Sequence, residues 1–374
     1  MPFVDLKAQY QALRADLLQA VANALDSMQL FLGPNVRALE EEFAAYCGTK
    51  YAVAVGSGTS ALHLALRAVG VEPGDEVITV ANTFVATAGA IIQAGARPVF
   101  IDIDPGTHLL DLDQVDQAIS QRTRAIIPVH LFGRMVDMKS LMALAKARNL
   151  SVIEDACQAH GARRGGKLAG AWGQAGCFSF YLSKNLGAYG EMGMVTSDDA
   201  EVRDAVRRLR DHGSSSKYQH QVFGFNERPD EIQAAMVRVK LRHLDEWNDA
   251  RELAAGRYRE ALQSLPSVRL LDDAADGQHV HHLFVVELES QRDAVRSYLS
   301  EKGIETGIHY PVPIHLQPAW RTFGGSDVAL PRTERAASRI LSLPIYPELS
   351  LGQLSLVVEA LDAATRSTAA PAQR

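Results

Sequence analysis

Strand-like and helical segments alternate regularly between residue 51 and about residue 200, and this alternation constrains the fold more than any other feature of the chain. Short apolar runs rich in β-branched residues, such as Glu76–Val80 and Ser151–Asp155, are separated from one another by helices or turns. β-branched content with flanking Gly, Pro or Asp favours strands over buried helices. Because parallel strands need helical crossovers, the pattern predicts an α/β fold whose mostly parallel sheet is covered by helices on both faces.

The segments after residue 197 have a different character. We predict an arginine-rich helix over 198–212, an exposed loop over 213–221 and one long or bent helix over 230–262. A smaller α+β unit follows, with a strand over 280–289 and another near residue 308. The predicted division is an N-terminal arm over 1–30, a large domain over 31–250 and a small C-terminal domain over 251–374.

Charge and cysteine usage limit the classes of function. The 374 residues include 38 Lys and Arg against 44 Asp and Glu, a net charge of −6, which argues against binding to nucleic acids or anionic membranes. Three cysteines without paired spacing indicate a reducing compartment. The sequence contains no signal-like or transmembrane-length apolar run and no metal-binding spacing. We therefore expect a soluble, cytoplasmic protein without a metal.

A glycine-rich segment, 56–60, lies between a predicted strand and a predicted helix. The amides of Gly58 and Thr59 and the Thr59 hydroxyl would suit a phosphate at the helix N-terminus, although the segment alone also suits an ordinary capped turn. It also satisfies a permissive dinucleotide fingerprint, which requires an acid at the end of the next strand. Asp75 and Glu76 come before that strand, so a dehydrogenase is disfavoured.

Asp155 ends an apolar strand, where a carboxylate is costly unless it has a cationic partner. A protonated pyridine nitrogen would be a suitable partner, and a loop-capping aspartate is the alternative. Gln158 could donate to a phenolic oxygen of the same ring, or be a surface amide. His160 suits a structural hydrogen bond better than catalysis.

Lys184 completes a set that would hold pyridoxal phosphate as a Schiff base. A lysine must be uncharged to attack an aldehyde, and burial lowers its pKa. Ser179 could reach the same phosphate as the glycine segment, and Phe84 supplies an aromatic plate for the ring. Each residue alone suits a structural role, so the prediction depends on the order of the whole set.

This set, in this order, resembles the DegT/StrS family of sugar-nucleotide aminotransferases, which have the aspartate aminotransferase fold. The segments that carry the resemblance are residues 2–6, 56–65, 82–87, 154–161, 178–187 and 343–350. The resemblance implies fold type I of the pyridoxal-phosphate enzymes, with a mostly parallel seven-stranded sheet in the large domain and a small C-terminal α+β domain.

The resemblance also implies roles for single residues. Lys184 would carry the cofactor and shuttle a proton, while Asp155 would pair with the ring nitrogen. Gln158 resembles the residue at the ring oxygen, and Phe84 the residue stacked on the ring. The residues that resemble phosphate contacts are Gly58, Thr59 and Ser179.

The resemblance further implies an obligate homodimer with shared active sites. Asn226 resembles the asparagine that such enzymes extend to the partner's phosphate. Lys184 argues against the related dehydratases, which have histidine at that position. One departure is Met192, where the family usually has glycine; methionine would be strained if the position needed a positive φ.

The expected reaction moves an amino group, by resemblance from L-glutamate, to a nucleotide-linked keto-sugar. The segments around 211–220, 224–233 and 309–318 look most like enzymes that aminate C3 of dTDP-3-keto-6-deoxyhexoses. UDP-linked 3-keto sugars and 4-keto sugars are alternatives, as is a non-catalytic regulator that binds the cofactor. The candidate substrate contacts are Lys217, His309, Tyr310 and His315. His279, His281 and His282 receive no role, because strand alternation would send His281 and His282 to opposite faces.

Overall fold

The computed structural model describes residues 1–272 and 276–369. The helices are α1 Leu6–Ser27, α2 Pro34–Cys47, α3 Gly58–Ala68, α4 Val85–Gln93, α5 Leu112–Ala118, α6 Met138–Arg148, α7 Ala200–Leu209, α8 Glu231–Leu241, α9 Leu244–Leu262, α10 Arg292–Glu301, α11 Pro318–Thr322, α12 Pro331–Arg339 and α13 Leu351–Ala369. The strands are β1 Tyr51–Val55, β2 Glu76–Val80, β3 Arg97–Ile101, β4 Thr123–Ile126, β5 Ser151–Asp155, β6 Arg163–Arg164, β7 Lys167–Leu168, β8 Ala175–Ser179, β9 Gly193–Ser197, β10 Ser214–Ser216, β11 Gln219–His220, β12 Val268–Leu270, β13 Gly277–Gln278, β14 Phe284–Leu288 and β15 Ile340–Leu343.

A seven-stranded sheet with the order β1-β9-β8-β5-β4-β2-β3 forms the centre of the molecule. β9 runs antiparallel to both of its neighbours, and the other strands are parallel. The structure therefore confirms the predicted α/β fold with a mostly parallel seven-stranded sheet.

Side-chain alternation along the strands divides the interior into two cores. In β1, Ala52 and Ala54 belong to the core that contains Phe43, while Val53 and Val55 belong to the opposite core. Helices cover both cores, as expected for a sheet of mostly parallel strands. Because both faces are buried, the open ends of the strands remain for a binding site.

The C-terminal part contains a three-stranded antiparallel sheet, β12-β14-β15. Its core includes Tyr258 from α9, Leu299 from α10 and Val357 from α13. The division of the chain at residues 30 and 250 stays a prediction. Of the helices in the described residues, none is long and apolar enough to cross a membrane.

Some predicted elements differ from the structure. The segment 230–262 is two helices separated by Arg242 and His243, because the His243 amide bonds the Lys240 carbonyl in a tighter turn. The segment 213–221 contains the hairpin β10–β11, which turns at Tyr218 with a φ of 64°. The region near residue 308 forms a single bridge, Gly307 to Ser342, instead of a strand.

Candidate active site

A pocket of about 410 Å³ lies at the carboxyl ends of the parallel strands. The predicted site residues that line it are Gly58, Thr59, Phe84, Asp155, Gln158, Ser179, Lys184, His309 and Tyr310. They come from separate loops, which the sheet brings together because neighbouring parallel strands end at the same edge. The chain thus gathers most of the predicted set in one place.

The predicted phosphate cup is the N-terminus of α3. Ser57 caps the helix, and its hydroxyl oxygen accepts a hydrogen bond from the Ser60 amide at 3.1 Å. The first amides of a helix have no partner within it, so those of Gly58 and Thr59 are available to an anion. A Cβ at Gly58 would lie 2.6 Å from the Ser179 Cβ and 3.0 Å from the Cys157 sulfur. Glycine is therefore required for this close approach of α3 to β8.

Asp155 lies at the end of β5 with its carboxylate buried against the pocket. The Thr87 hydroxyl donates to its Oδ2 at 2.8 Å, and the Cys157 amide donates to its Oδ1 at 3.3 Å. Among the described residues, no cation comes within ion-pair distance of this carboxylate. A protonated ring nitrogen fits the site, because it would supply the missing positive charge.

Lys184 projects into the same pocket. Burial lowers the pKa of its amino group, and the nearby Cys157 and Asp155 oppose that effect only in part. A lowered pKa increases the uncharged, nucleophilic fraction at neutral pH. The segment that follows Lys184 is held in place by the buried Lys240, whose Nζ donates to the Gly187 carbonyl at 2.7 Å.

Gln158, Tyr310 and Phe84 form one wall of the pocket. The Gln158 Oε1 accepts from the Phe132 amide at 2.7 Å, which orients its Nε2 toward the Tyr310 hydroxyl at 3.2 Å. The Phe84 ring lies 5.7 Å from the Tyr310 ring at an angle of 40°. Burial, followed by the charge of Asp155, raises the pKa of Tyr310, so its hydroxyl remains a donor. Phe84 is 53% exposed, so its face is free to stack on a planar group.

Three predicted contacts lie outside this pocket. Lys217 is exposed in the β10–β11 hairpin, where its amino group lies 5.3 Å from the centre of the Tyr218 ring. The Asn226 Oδ1 accepts from Arg228 at 2.8 Å. His315 is buried, and its Nε2 lies 3.1 Å from a Glu334 carboxylate oxygen.

The strain considered for Met192 does not occur. Its φ is not positive, its side chain is fully buried in the core, and its carbonyl accepts from the Phe180 amide at 2.7 Å. The adjacent residue, Glu191, lines the pocket, whereas Met192 does not.

Several lining residues received no role from the sequence. They are Thr87, His130, Cys157, Tyr181, Ser183, Glu191 and His282. The segments that carried the family resemblance include Thr87, Cys157, Tyr181 and Ser183, and this was the one signal available for these residues. His282 was excluded on the assumption of a strand, but β14 begins only at Phe284. The predicted strand start at residue 280 was wrong, so the alternation argument does not apply at His282.

The fold and the site together define an α/β enzyme of the pyridoxal phosphate-dependent class. The chain belongs to the DegT/DnrJ/EryC1/StrS aminotransferase family, whose model matches residues 11–362. The predicted family is thereby confirmed, and with it aminotransferase activity and the cofactor, pyridoxal phosphate. The roles assigned to single residues stay predictions.

Three curated relatives align with nearly the whole chain. The "dTDP-3-amino-3,4,6-trideoxy-alpha-D-glucose transaminase" of Streptomyces venezuelae is 46% identical over 96% of this chain and 95% of its own. The "Pleiotropic regulatory protein" of Geobacillus stearothermophilus is 45% identical over 96% and 97%. A UDP-N-acetyl-3-dehydro-alpha-D-glucosamine 3-aminotransferase of Acidithiobacillus ferrooxidans is 44% identical over 96% of both chains.

A solved structure shows the same fold. The crystal structure of S. venezuelae DesV in complex with a ketimine intermediate superposes with a TM-score of 0.94 at 45% identity. The superposition covers 97% of this chain and 98% of that one.

Proposed function

We propose that this enzyme transfers the amino group of L-glutamate to C3 of a dTDP-3-keto-6-deoxyhexose. The observation that carries the aminotransferase chemistry is that one pocket holds Lys184, with its lowered pKa, and Asp155, which has no cationic partner among the described residues. The nucleotide and the carbon rest on the S. venezuelae relative. The A. ferrooxidans relative keeps a UDP-linked 3-keto sugar as the second candidate.

Pyridoxal phosphate, when bound, supplies an aldehyde for the amino group and a ring that stabilises negative charge at the adjacent carbon. The chain's own residues set the conditions for this. Asp155 would hold the ring nitrogen protonated, and the α3 amides would hold the phosphate. Phe84 would cover one face of the ring and exclude water from it.

Lys184 would act as the base and then as the acid. Burial favours its uncharged form, which can accept a proton from the carbon that loses hydrogen. The protonated lysine can then return that proton to the neighbouring carbon. Lys184 can do both because its lowered pKa reduces the free-energy difference between its charged and uncharged forms.

The proposed enzyme is a homodimer with shared sites, and the charges of the pocket support this. Lys184 is the one lysine or arginine among the described lining residues, beside the carboxylates of Asp155 and Glu191. The cofactor phosphate, the two carboxylates of glutamate and the nucleotide diphosphate all bring negative charge. A second copy would supply the missing cations and donors.

Exposed residues of the 212–226 segment suit that role. Phe223 is 99% exposed and Tyr218 is 85% exposed, which is costly for aromatic rings unless a partner covers them. Lys217 and Asn226 lie in the same segment and would reach the partner's pocket from it. His315 has its own partner in Glu334, so its predicted substrate contact gains no support from the structure.

We also propose a cytoplasmic location, which the three unpaired cysteines support.

Absorbance spectroscopy of purified protein with pyridoxal phosphate tests the function. Glutamate should remove the visible absorbance of the lysine-bound cofactor, and dTDP-3-keto-6-deoxyglucose should restore it. Restoration only by a UDP-linked 3-keto sugar would support the second candidate. No response to glutamate would contradict the aminotransferase proposal and favour a regulator.

Mixing two inactive variants tests the shared sites. Heterodimers of Lys184→Ala and Asn226→Ala subunits would contain one intact site, so random mixing should restore about a quarter of wild-type activity. A mixture as inactive as its components would contradict shared sites. Native mass spectrometry of the same mixture verifies that heterodimers form.

A further inference from the structure

A chain of two asparagines leads from the backbone to the active-site pocket. The Asn248 Nδ2 donates to the His160 carbonyl at 2.9 Å. The Asn185 Nδ2 donates to the Asn248 Oδ1 and to the Val280 carbonyl, each at 2.9 Å. Carbonyl oxygens can only accept hydrogen bonds, so these contacts fix the orientation of both amides.

The orientation of Asn185 determines the protonation of His282. The Asn185 Oδ1 lies 3.1 Å from the His282 Nδ1, and an amide oxygen is an acceptor. The Nδ1 of His282 must therefore carry the hydrogen. In a neutral imidazole the other nitrogen, Nε2, is then unprotonated and can only accept.

His282 is neutral in this environment. Burial, followed by the charges of Lys184 and Arg251, lowers the pKa of its imidazole well below the usual value. Its ring lines the pocket that Lys184 enters, and no described residue donates to its Nε2. The pocket that contains the reactive amine thus also contains an acceptor of fixed direction.

The Lys184 amino group makes no hydrogen bond to this nitrogen in the structure; we propose that His282 is a positioning residue and that, once the cofactor has entered, rotation of the Lys184 side chain lets the free amine donate to the His282 Nε2. The inference rests on the proposed function and extends it. Such a bond would hold the free amine at the point of proton transfer. Without it, a long side chain with four rotatable bonds would sample many orientations.

The other histidines near Lys184 are less suited to this role. The His309 Nδ1 lies 2.8 Å from the Ser342 hydroxyl, which can donate or accept, so its tautomer is not fixed. His160 is enclosed by the rings of Phe178 and Phe180, at 5.4 and 5.7 Å. His282 is the histidine whose free nitrogen the surrounding hydrogen bonds define.

The test uses the holoenzyme variants His282→Ala and Asn248→Leu, with His281→Asn as a control. His281 is a buried neighbour that lines a different cavity. The rate at which glutamate removes the visible absorbance should fall by about 10–100-fold in His282→Ala, and less in Asn248→Leu. Added imidazole should restore the rate of His282→Ala alone, because only that variant has space for it.

A second readout does not depend on turnover. Apoprotein is mixed with pyridoxal phosphate, and the rate at which the visible absorbance appears is followed. His282→Ala should react more slowly and again respond to imidazole, while His281→Asn should match the wild type.

Wild-type rates in His282→Ala, or a slow rate that imidazole leaves unchanged, would overturn the proposal. If His282→Ala does not fold, His282→Gln replaces it. A wild-type rate in Asn248→Leu then counts against the proposal that Asn248 and Asn185 orient His282. A wild-type protein that does not respond to glutamate would instead contradict the proposed function.

Discussion

The Thr87 hydroxyl donates a 2.8 Å hydrogen bond to the Oδ2 of Asp155, which joins the first turn of α4 to the end of β5. The Thr83 hydroxyl lies 2.9 Å from that of Thr87, so the carboxylate ends a short buried chain of hydroxyls. The Thr87 hydroxyl thereby holds the Asp155 carboxylate in one orientation. Thr87 therefore positions the carboxylate that would pair with a protonated ring nitrogen.

Replacing Thr87 with valine should weaken cofactor binding. The change keeps the shape and removes the hydroxyl, at a cost of about 1.5–3 kcal/mol for a bond to a charged group, or roughly a 10- to 150-fold increase in Kd. Titration of apoprotein with pyridoxal phosphate measures this. Thr79→Val is the control, because Thr79 is buried in β2 and bonds the Ile127 carbonyl at 2.9 Å. Equal Kd values for wild type and Thr87→Val would contradict the assigned role.

Replacing Gly58 with alanine should disturb the phosphate cup. The new Cβ would meet the Ser179 Cβ at 2.6 Å, so α3 or β8 must shift, at a cost of about 1–3 kcal/mol in unfolding free energy. Cofactor affinity should also fall, because the same shift moves the α3 amides that would bind the phosphate. Gly256→Ala in α9 is the matched control, because no atom lies within 4 Å of a Cβ added at this position. Alanine should stabilise that helix by about 0.5–1 kcal/mol. Urea unfolding of both variants decides the comparison.

Replacing Lys184 with alanine should abolish turnover and the visible absorbance of the bound cofactor. The variant has no amine to bond the aldehyde or move the proton, so activity should fall by at least about 1,000-fold. Fluorescence titration should still detect noncovalent cofactor binding through the α3 amides and Asp155. Retained turnover would contradict the role of Lys184, and complete loss of cofactor binding would contradict the role of the other contacts.

Acid should destabilise the protein through its buried histidines. Burial, followed by the charge of Lys184, lowers the pKa of His309 to about 4 and of His160 to about 3. An unfolded histidine has a pKa of about 6.5, so below that pH the unfolded chain binds more protons, and the unfolding free energy falls as pH decreases toward 4. Each histidine contributes up to about 1.4 kcal/mol per pH unit in that window.

His309→Asn tests this linkage. Its unfolding free energy should decrease less between pH 6.5 and pH 5.0 than that of the wild type, by about 1–2 kcal/mol. Urea unfolding at the two pH values measures the difference. An identical decrease in both proteins would show that His309 does not titrate in this range on unfolding.

Local pattern was enough to predict the fold and most of the pocket. β-branched runs between helical segments specify parallel strands, and a residue that follows such a run must lie at the carboxyl edge of the sheet. Asp155, Gly58 and Lys184 lie near the ends of β5, β1 and β8, so their meeting follows from chain order alone.

The sequence by itself therefore determined the α/β fold, because strands and helices follow from short-range periodicity. It also determined the family and the residues at the strand ends, through the order of the motifs that resemble the family. Only the tertiary structure decided the place of His282, whose pocket-facing nitrogen depends on contacts with Asn185 and, through it, Asn248. The tertiary structure also decided that Gln158 forms a hydrogen bond with Tyr310, and His315 with Glu334. These hydrogen bonds join residues from separate loops and helices, and their geometry depends on how those elements pack, which spacing along the chain does not encode.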